Sequence, residues 1–65
     1  MDYQYWEAAW LLIRQQRNEA EGAAARRVDD MVNAKDQIGE IVWKRILLAV
    51  RELQRFRPRE GEYVH

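Results

Sequence analysis

Apolar side chains recur at helical spacing in three segments of this chain. When successive residues are placed about 100° apart, the apolar positions of each segment fall on one arc and the charged positions fall opposite. The arc is wide and aromatic in the first segment, narrow and alanine-rich in the second, and about half the circumference in the third. The pattern predicts an all-α fold with helices over about 3–17, 19–34 and 37–56.

Start and stop signals agree with this division. Asp2 precedes the first segment, and Asn18 is followed three residues later by Glu21, which predicts a capping box at the start of the second. Asp36 precedes the third segment. Pro58 follows it, and the residue before a proline avoids the helical region, so we expect the third helix to end there.

Whether the first two segments are separate helices is open from the pattern alone. If one continuous helix is assumed through Asn18, the apolar arc of the second segment is rotated by roughly 80° from that of the first. This mismatch is too small to distinguish one helix from two. The capping signal favours a short three-helix bundle, and the alternative is a long helical hairpin. In either case we expect a single helical domain over 1–57 and a flexible tail over 58–65.

Chain length and composition predict that the fold needs a partner. A chain of 65 residues buries only about 60% of its unfolded surface, and one such core rarely supplies more than about 3–5 kcal/mol. Without cysteine, neither a disulfide nor a thiolate metal site can add to that stability. We therefore expect homodimerisation to complete the core.

The residue types also argue against catalysis. The chain has no Ser, Thr or Cys, which excludes hydroxyl and thiol nucleophiles, and its one histidine is His65. We expect no enzyme activity, no catalytic residue, no cofactor and no metal. Eleven basic and eleven acidic residues cancel, so net charge does not indicate a nucleic-acid or membrane partner.

Targeting signals are not evident in the pattern. The first residues have no basic region or small-residue cleavage site, and the longest apolar run, Ile46–Val50, is far shorter than the ~20 residues of a membrane span. We expect a cytoplasmic protein, which the missing cysteines fit.

Six large apolar residues are candidates for a protein interface. The three tryptophans lie on the apolar arcs of their helices. Two interpretations are open: they pack in the core, or they lie at its rim and contact a second chain. Three aliphatic residues lie outside the arcs, two of them seven positions apart on one stripe. Chance exposure, self-association and contact with a different protein all remain open for that stripe. The six are Trp6, Trp10, Leu11, Ile41, Trp43 and Leu48.

A basic face on the third helix suggests an alternative function. Lys44, Arg51 and Arg55 share that face and are candidate phosphate contacts for a small nucleic-acid-binding regulator. Cations near a helix C-terminus are also favoured by the helix dipole, and Glu40 is placed to pair with Lys44. No base-recognition motif accompanies the face, so nucleic acid is the less favoured partner.

The second and third segments also resemble a family. Their pattern of Ala-rich helix, Gly-Asp or Lys-Asp turn, Gly, Trp and spaced Ile and Leu is similar to small uncharacterised alphaproteobacterial proteins, a domain of unknown function. Lys35 stands where that pattern prefers glycine, and Asn18 where a glycine often closes the first helix. The resemblance implies a helical fold and no assigned activity. It is carried by Ala25–Met31, Lys35–Asp36, Gly39, Val42–Ile46, Ala49, Val50 and Leu53.

Together these observations predict a non-enzymatic helical module for protein–protein interaction that associates with itself and can also bind a heterologous protein.

Overall fold

A computed structural model describes residues 3–55, and every element in that range is helical. Helix α1 is Tyr3–Gln16, a 3₁₀ turn covers Arg17–Glu19, helix α2 is Ala20–Asn33 and helix α3 is Gln37–Arg55. The all-α prediction is confirmed for this range. The predicted last residue of the third helix, Phe56, and the predicted tail, 58–65, lie outside the described residues.

The first helical arm is bent where α1 meets α2. Arg17 has a φ of 53°, in the left-handed region that costs a non-glycine residue free energy, and its carbonyl oxygen accepts a hydrogen bond of 3.2 Å from the Gln54 side chain of α3. The predicted capping box is wrong. No side chain caps the 3₁₀ turn or α2, and Glu21 is instead bound to Arg51 at 2.9 Å. The bend therefore lies at Arg17, and Asn18 does not cap the helix that follows it.

The connection from α2 to α3 is a compact turn with defined hydrogen bonds. The amide of Asp36 donates to the carbonyl of Met31 at 2.9 Å, and that of Lys35 donates to the carbonyl of Val32 at 3.0 Å. These two bonds form a Schellman motif, with Lys35 in the left-handed position at φ 58°. As predicted, Asp36 then starts α3, because its carboxylate accepts a 2.9 Å bond from the Gly39 amide.

Gly39 is required at this turn by close approach. A Cβ built there would lie 2.5 Å from the Met31 sulfur and 2.7 Å from a carboxylate oxygen of Asp36. The missing side chain thus lets α2 and the capping carboxylate lie against the first turn of α3. Gly22 differs, since a Cβ there would meet nothing within 4 Å.

Both α1 and α2 pack on α3, which carries most of the apolar contact. On one side the Arg45 guanidinium lies over the Tyr5 ring of α1, 5.7 Å from its centroid. On the other, Arg51 of α3 pairs with Glu21 of α2. The buried positions between them are Ala9, Ile13, Ala20, Ala24, Ile46, Ala49 and Val50.

The core formed in this way is made of small side chains. Of the seven buried residues in the described range, four are alanines, and the largest side chain there that is fully buried is Val50. Larger residues such as Trp6, Leu12 and Leu53 pack against this centre but stay partly exposed. Because a buried alanine contributes much less than the ~1.5–3 kcal/mol of a buried Leu or Ile, the interior stabilises the chain weakly.

Candidate interaction surfaces

Large apolar side chains lie on the outside of the folded chain. Among residues 4–55, six expose about half of their surface or more: Ile38 77%, Leu48 56%, Leu11 53%, Ile41 53%, Trp10 51% and Val32 48%. Single exposed aliphatic residues are common on proteins, but several of these lie together on two helices and form two surfaces.

The six predicted interface residues divide into two groups. Trp10, Leu11, Ile41 and Leu48 are exposed, whereas Trp6 and Trp43 are half-buried. Trp6 and Trp43 pack against the core cluster. Its position on the apolar arc had suggested that Trp10 packs in the core. In the structure Trp10 is exposed, because α1 turns the side that carries Ala9 and Ile13 toward α3.

Two exposed residues were not predicted. The pattern placed Ile38 and Val32 on the apolar arcs of their helices, yet both lie mostly in the open. Each is close to the α2–α3 turn. At this end of the molecule α2 and α3 lie beside each other, so the apolar side chains there have few others to pack against. Position at the end of a helix is the signal that could have identified them.

The first surface, which we call the α1 face, consists of Glu7, Trp10, Leu11 and Arg14. All four side chains are exposed. Trp10 and Leu11 lie three and four residues from both charged residues, so each apolar side chain neighbours both the carboxylate and the guanidinium. The face therefore has an apolar centre with one negative and one positive end.

A groove borders the α1 face on the side of Leu11. It lies between α1 and α2, has a volume of about 370 Å³ and is reached by Trp43 from α3. The Arg27 guanidinium lies over the Trp43 indole, 5.4 Å from the ring centroid, which fixes both groups at the groove wall. Leu11 and Trp43, predicted separately as interface residues, are thus brought to one place.

A shallower depression borders the same face on the side of Trp10. It is lined by Trp10, Ile13, Arg14 and Arg17. Neither Arg14 nor Arg17 forms an ion pair or a ring contact within the part of the chain that the structure describes. The α1 face is consequently a ridge between two hollows.

The second surface, which we call the α3 stripe, consists of Ile38, Ile41, Arg45 and Leu48. Its members are spaced by three, four and three residues, so they follow one line along α3 on the side away from the core. The predicted alignment of Ile41 and Leu48 is therefore present, and Ile38 extends it toward the turn. Arg45 interrupts the line, with its guanidinium over Tyr5.

The predicted basic face is held in ion pairs. Lys44 lies 2.6 Å from Glu40, Arg51 lies 2.9 Å from Glu21 and Arg55 lies 3.0 Å from Glu52. Each cation thus has a carboxylate beside it that reduces the charge available to a phosphate. Nucleic-acid binding by this face stays a prediction, which a mobility-shift assay at low salt tests.

Residues 3–55 show neither a metal-ligand cluster nor a membrane-spanning helix. No three Asp or Glu side chains there come close enough together to hold a metal ion. Among the same residues, no helix has both the length and the apolar character needed to cross a membrane.

Comparison with protein-family models, curated proteins and solved structures finds no match to this chain. The resemblance to a family of unknown function therefore stays a prediction.

Proposed function

We propose that this protein is a non-enzymatic interaction module, a short three-helix bundle that completes its apolar packing by associating with a second copy of itself. The observation that supports the proposal is the distribution of side-chain size. Alanine occupies four of the seven buried positions among the described residues, while Trp10, Leu11, Ile38, Ile41 and Leu48 each expose half of their surface or more.

The energies involved favour association. Burying the exposed half of one such Leu or Ile contributes about 1 kcal/mol, and Trp10 offers a larger area. The exposed ion pairs that link the helices contribute at most about 1 kcal/mol each. A dimer buries such side chains from both copies at once, so these contributions add and offset the free-energy cost of association.

A second copy is the simplest partner for such a chain. It is always present at the concentration of the protein itself, and two-fold pairing lets one surface serve both subunits. The cytoplasmic location that we propose rests on the absence of cysteine.

Sedimentation equilibrium of the whole chain at tens of micromolar tests the proposal. We expect a mass of twice 7.9 kDa and a thermal midpoint that rises with protein concentration, because dimerisation stabilises the folded state by mass action. A strictly monomeric chain with a concentration-independent midpoint would overturn self-association.

The α3 stripe supports a second role in the same class. An exposed row of apolar residues along one helix is the kind of surface that enters a groove on another protein. We propose a heterologous partner for this surface once α1 has paired.

A further inference from the structure

We infer that the α1 face is the interface with the second copy, and that the two α1 helices pair antiparallel about a two-fold axis between Trp10 and Leu11. This inference rests on the proposed self-association and specifies the surface and the geometry that produce it.

Two charges on the α1 face have no ion-pair partner among the residues that the structure describes. Glu7 and Arg14 are seven residues apart on α1, which separates them by about 10 Å along the helix, too far for an ion pair with each other. Neither forms an ion pair or a side-chain hydrogen bond with any other residue between 3 and 55. Opposite charges are thus available at the two ends of one exposed apolar patch.

The arrangement of charges on the α1 face is complementary to itself. When α1 is laid antiparallel on its copy about the point between residues 10 and 11, residue 7 faces residue 14 of the partner and residue 10 faces residue 11. Glu7 then meets the partner's Arg14 twice, once at each end, and each Trp10 packs on the partner's Leu11. A parallel pairing would place like charges opposite each other, which costs free energy.

The shape of the α1 face also favours a second copy. The α1 face is a ridge with a hollow on either side, one lined by Trp43 and Ala23 and the other by Ile13 and Arg17. Helices pack when the ridges of one enter the grooves of the other. Side chains of a second copy that flank the paired ridges therefore have hollows to enter on this side of the molecule.

The α3 stripe does not pair with itself in this way. An antiparallel pairing that brought Ile41 onto the partner's Leu48 would centre on Lys44 and Arg45, so cations would face cations. Two apolar contacts would then be opposed by like charges at the axis. The charges thus select the α1 face for the second copy.

A charge-exchange experiment tests the inference. Glu7→Arg places two like-charged pairs in the dimer, and so does Arg14→Glu. We expect each variant alone to dissociate at least about tenfold more readily than the natural chain, since like charges at an interface are strongly unfavourable. An equimolar mixture of the two variants restores both opposite-charge pairs, and we expect it to form a heterodimer. The chain carrying both changes should form a homodimer again.

Matched controls separate a lost interface from a lost fold. Asp29→Arg and Arg26→Glu make the same charge changes on exposed positions of α2, and we expect them to leave the dimer unchanged. Far-ultraviolet circular dichroism should show equal helicity in all variants.

The outcomes distinguish the two levels of the proposal. If the natural chain is a monomer, self-association itself fails. If the natural chain is a dimer but the single exchanges leave its dissociation constant unchanged, or the mixture does not restore pairing, the α1 face is not the interface and self-association stands through another surface.

Discussion

The α1 face and the α3 stripe expose similar apolar residues but differ in what surrounds them. On the α1 face, one carboxylate and one guanidinium flank the apolar centre and have no ion pair among the described residues. Along α3, Lys44 is already paired with Glu40, and Arg45 lies over Tyr5 in the middle of the stripe. We therefore propose different partners for similar apolar areas, because the surrounding charges favour a second copy on the α1 face and oppose one on the α3 stripe.

The turns that position these surfaces differ as well. Helix α3 begins after a turn with a Schellman motif, a carboxylate cap and a glycine that the packing requires. Helix α1 meets α2 at a bend with no side-chain cap, where Arg17 is held in a left-handed conformation. We therefore expect α3 to be more firmly placed than α1 in the single chain, and pairing to stabilise α1.

The largest expected effect on dimer dissociation comes from truncating a residue of the α1 face, and a residue of the α3 stripe serves for comparison. Trp10→Ala removes the main anchor of the α1 face, and a central interface tryptophan is worth about 2 kcal/mol or more, so we expect dimer dissociation to become at least roughly thirtyfold easier. Leu48→Ala should change dissociation less than about threefold. Sedimentation equilibrium of both variants measures this. Equal effects, or a larger effect from Leu48→Ala, would remove the distinction between the surfaces.

A smaller effect is expected at the turn before α3. In Gly39→Ala the new methyl group must displace the Met31 sulfur or the Asp36 carboxylate, which strains the cap by more than the helix gains from alanine, and we expect unfolding to require about 0.5–1 kcal/mol less free energy. Gly22→Ala is the matched control, since open space and a helical position should make it stabilising by about 0.5–1 kcal/mol. Urea unfolding at one protein concentration compares them. Stabilisation by both substitutions would show that α3 does not depend on this close approach.

The smallest effects are expected at the two left-handed residues. Glycine adopts φ near 55° without a steric penalty but loses more entropy on folding, so Arg17→Gly and Lys35→Gly should each stabilise the chain by up to about 1 kcal/mol. Thermal unfolding measures the shift, with an equal glycine substitution at exposed Lys44 in mid-helix as the destabilising control. Loss of stability in Arg17→Gly would mean that the bend between α1 and α2 depends on the arginine side chain.

The sequence predicted the helices better than it predicted which side of them would be open. Asp36 has a short acceptor side chain before an apolar period, and that local signal was sufficient to start α3. The Asn18 signal was just as local and failed, because Glu21 is within reach of Arg51, thirty residues away. The bend at Arg17 could not be predicted, because left-handed arginine is rare and is held here by Gln54 from α3.

The residues of the interaction surfaces also differ in how far their exposure could be predicted from the sequence. Ile41 and Leu48 were identifiable because they lie outside the apolar arc of their own helix. Trp10 lies on its arc, and its exposure depends on where α2 and α3 lie relative to α1. Glu7 and Arg14 belong to a polar side that any solvated helix shares. They became informative only when the structure gave neither of them an ion-pair partner among residues 3–55.

Isotope-filtered nuclear Overhauser spectroscopy on a mixture of labelled and unlabelled chains tests the central claim most directly, because it detects only contacts between copies. We predict cross-peaks from the Trp10 indole of one copy to the Leu11 methyl groups of the other. Cross-peaks confined to the methyl groups of Ile41 and Leu48, or no contacts between copies at millimolar concentration, would contradict the account.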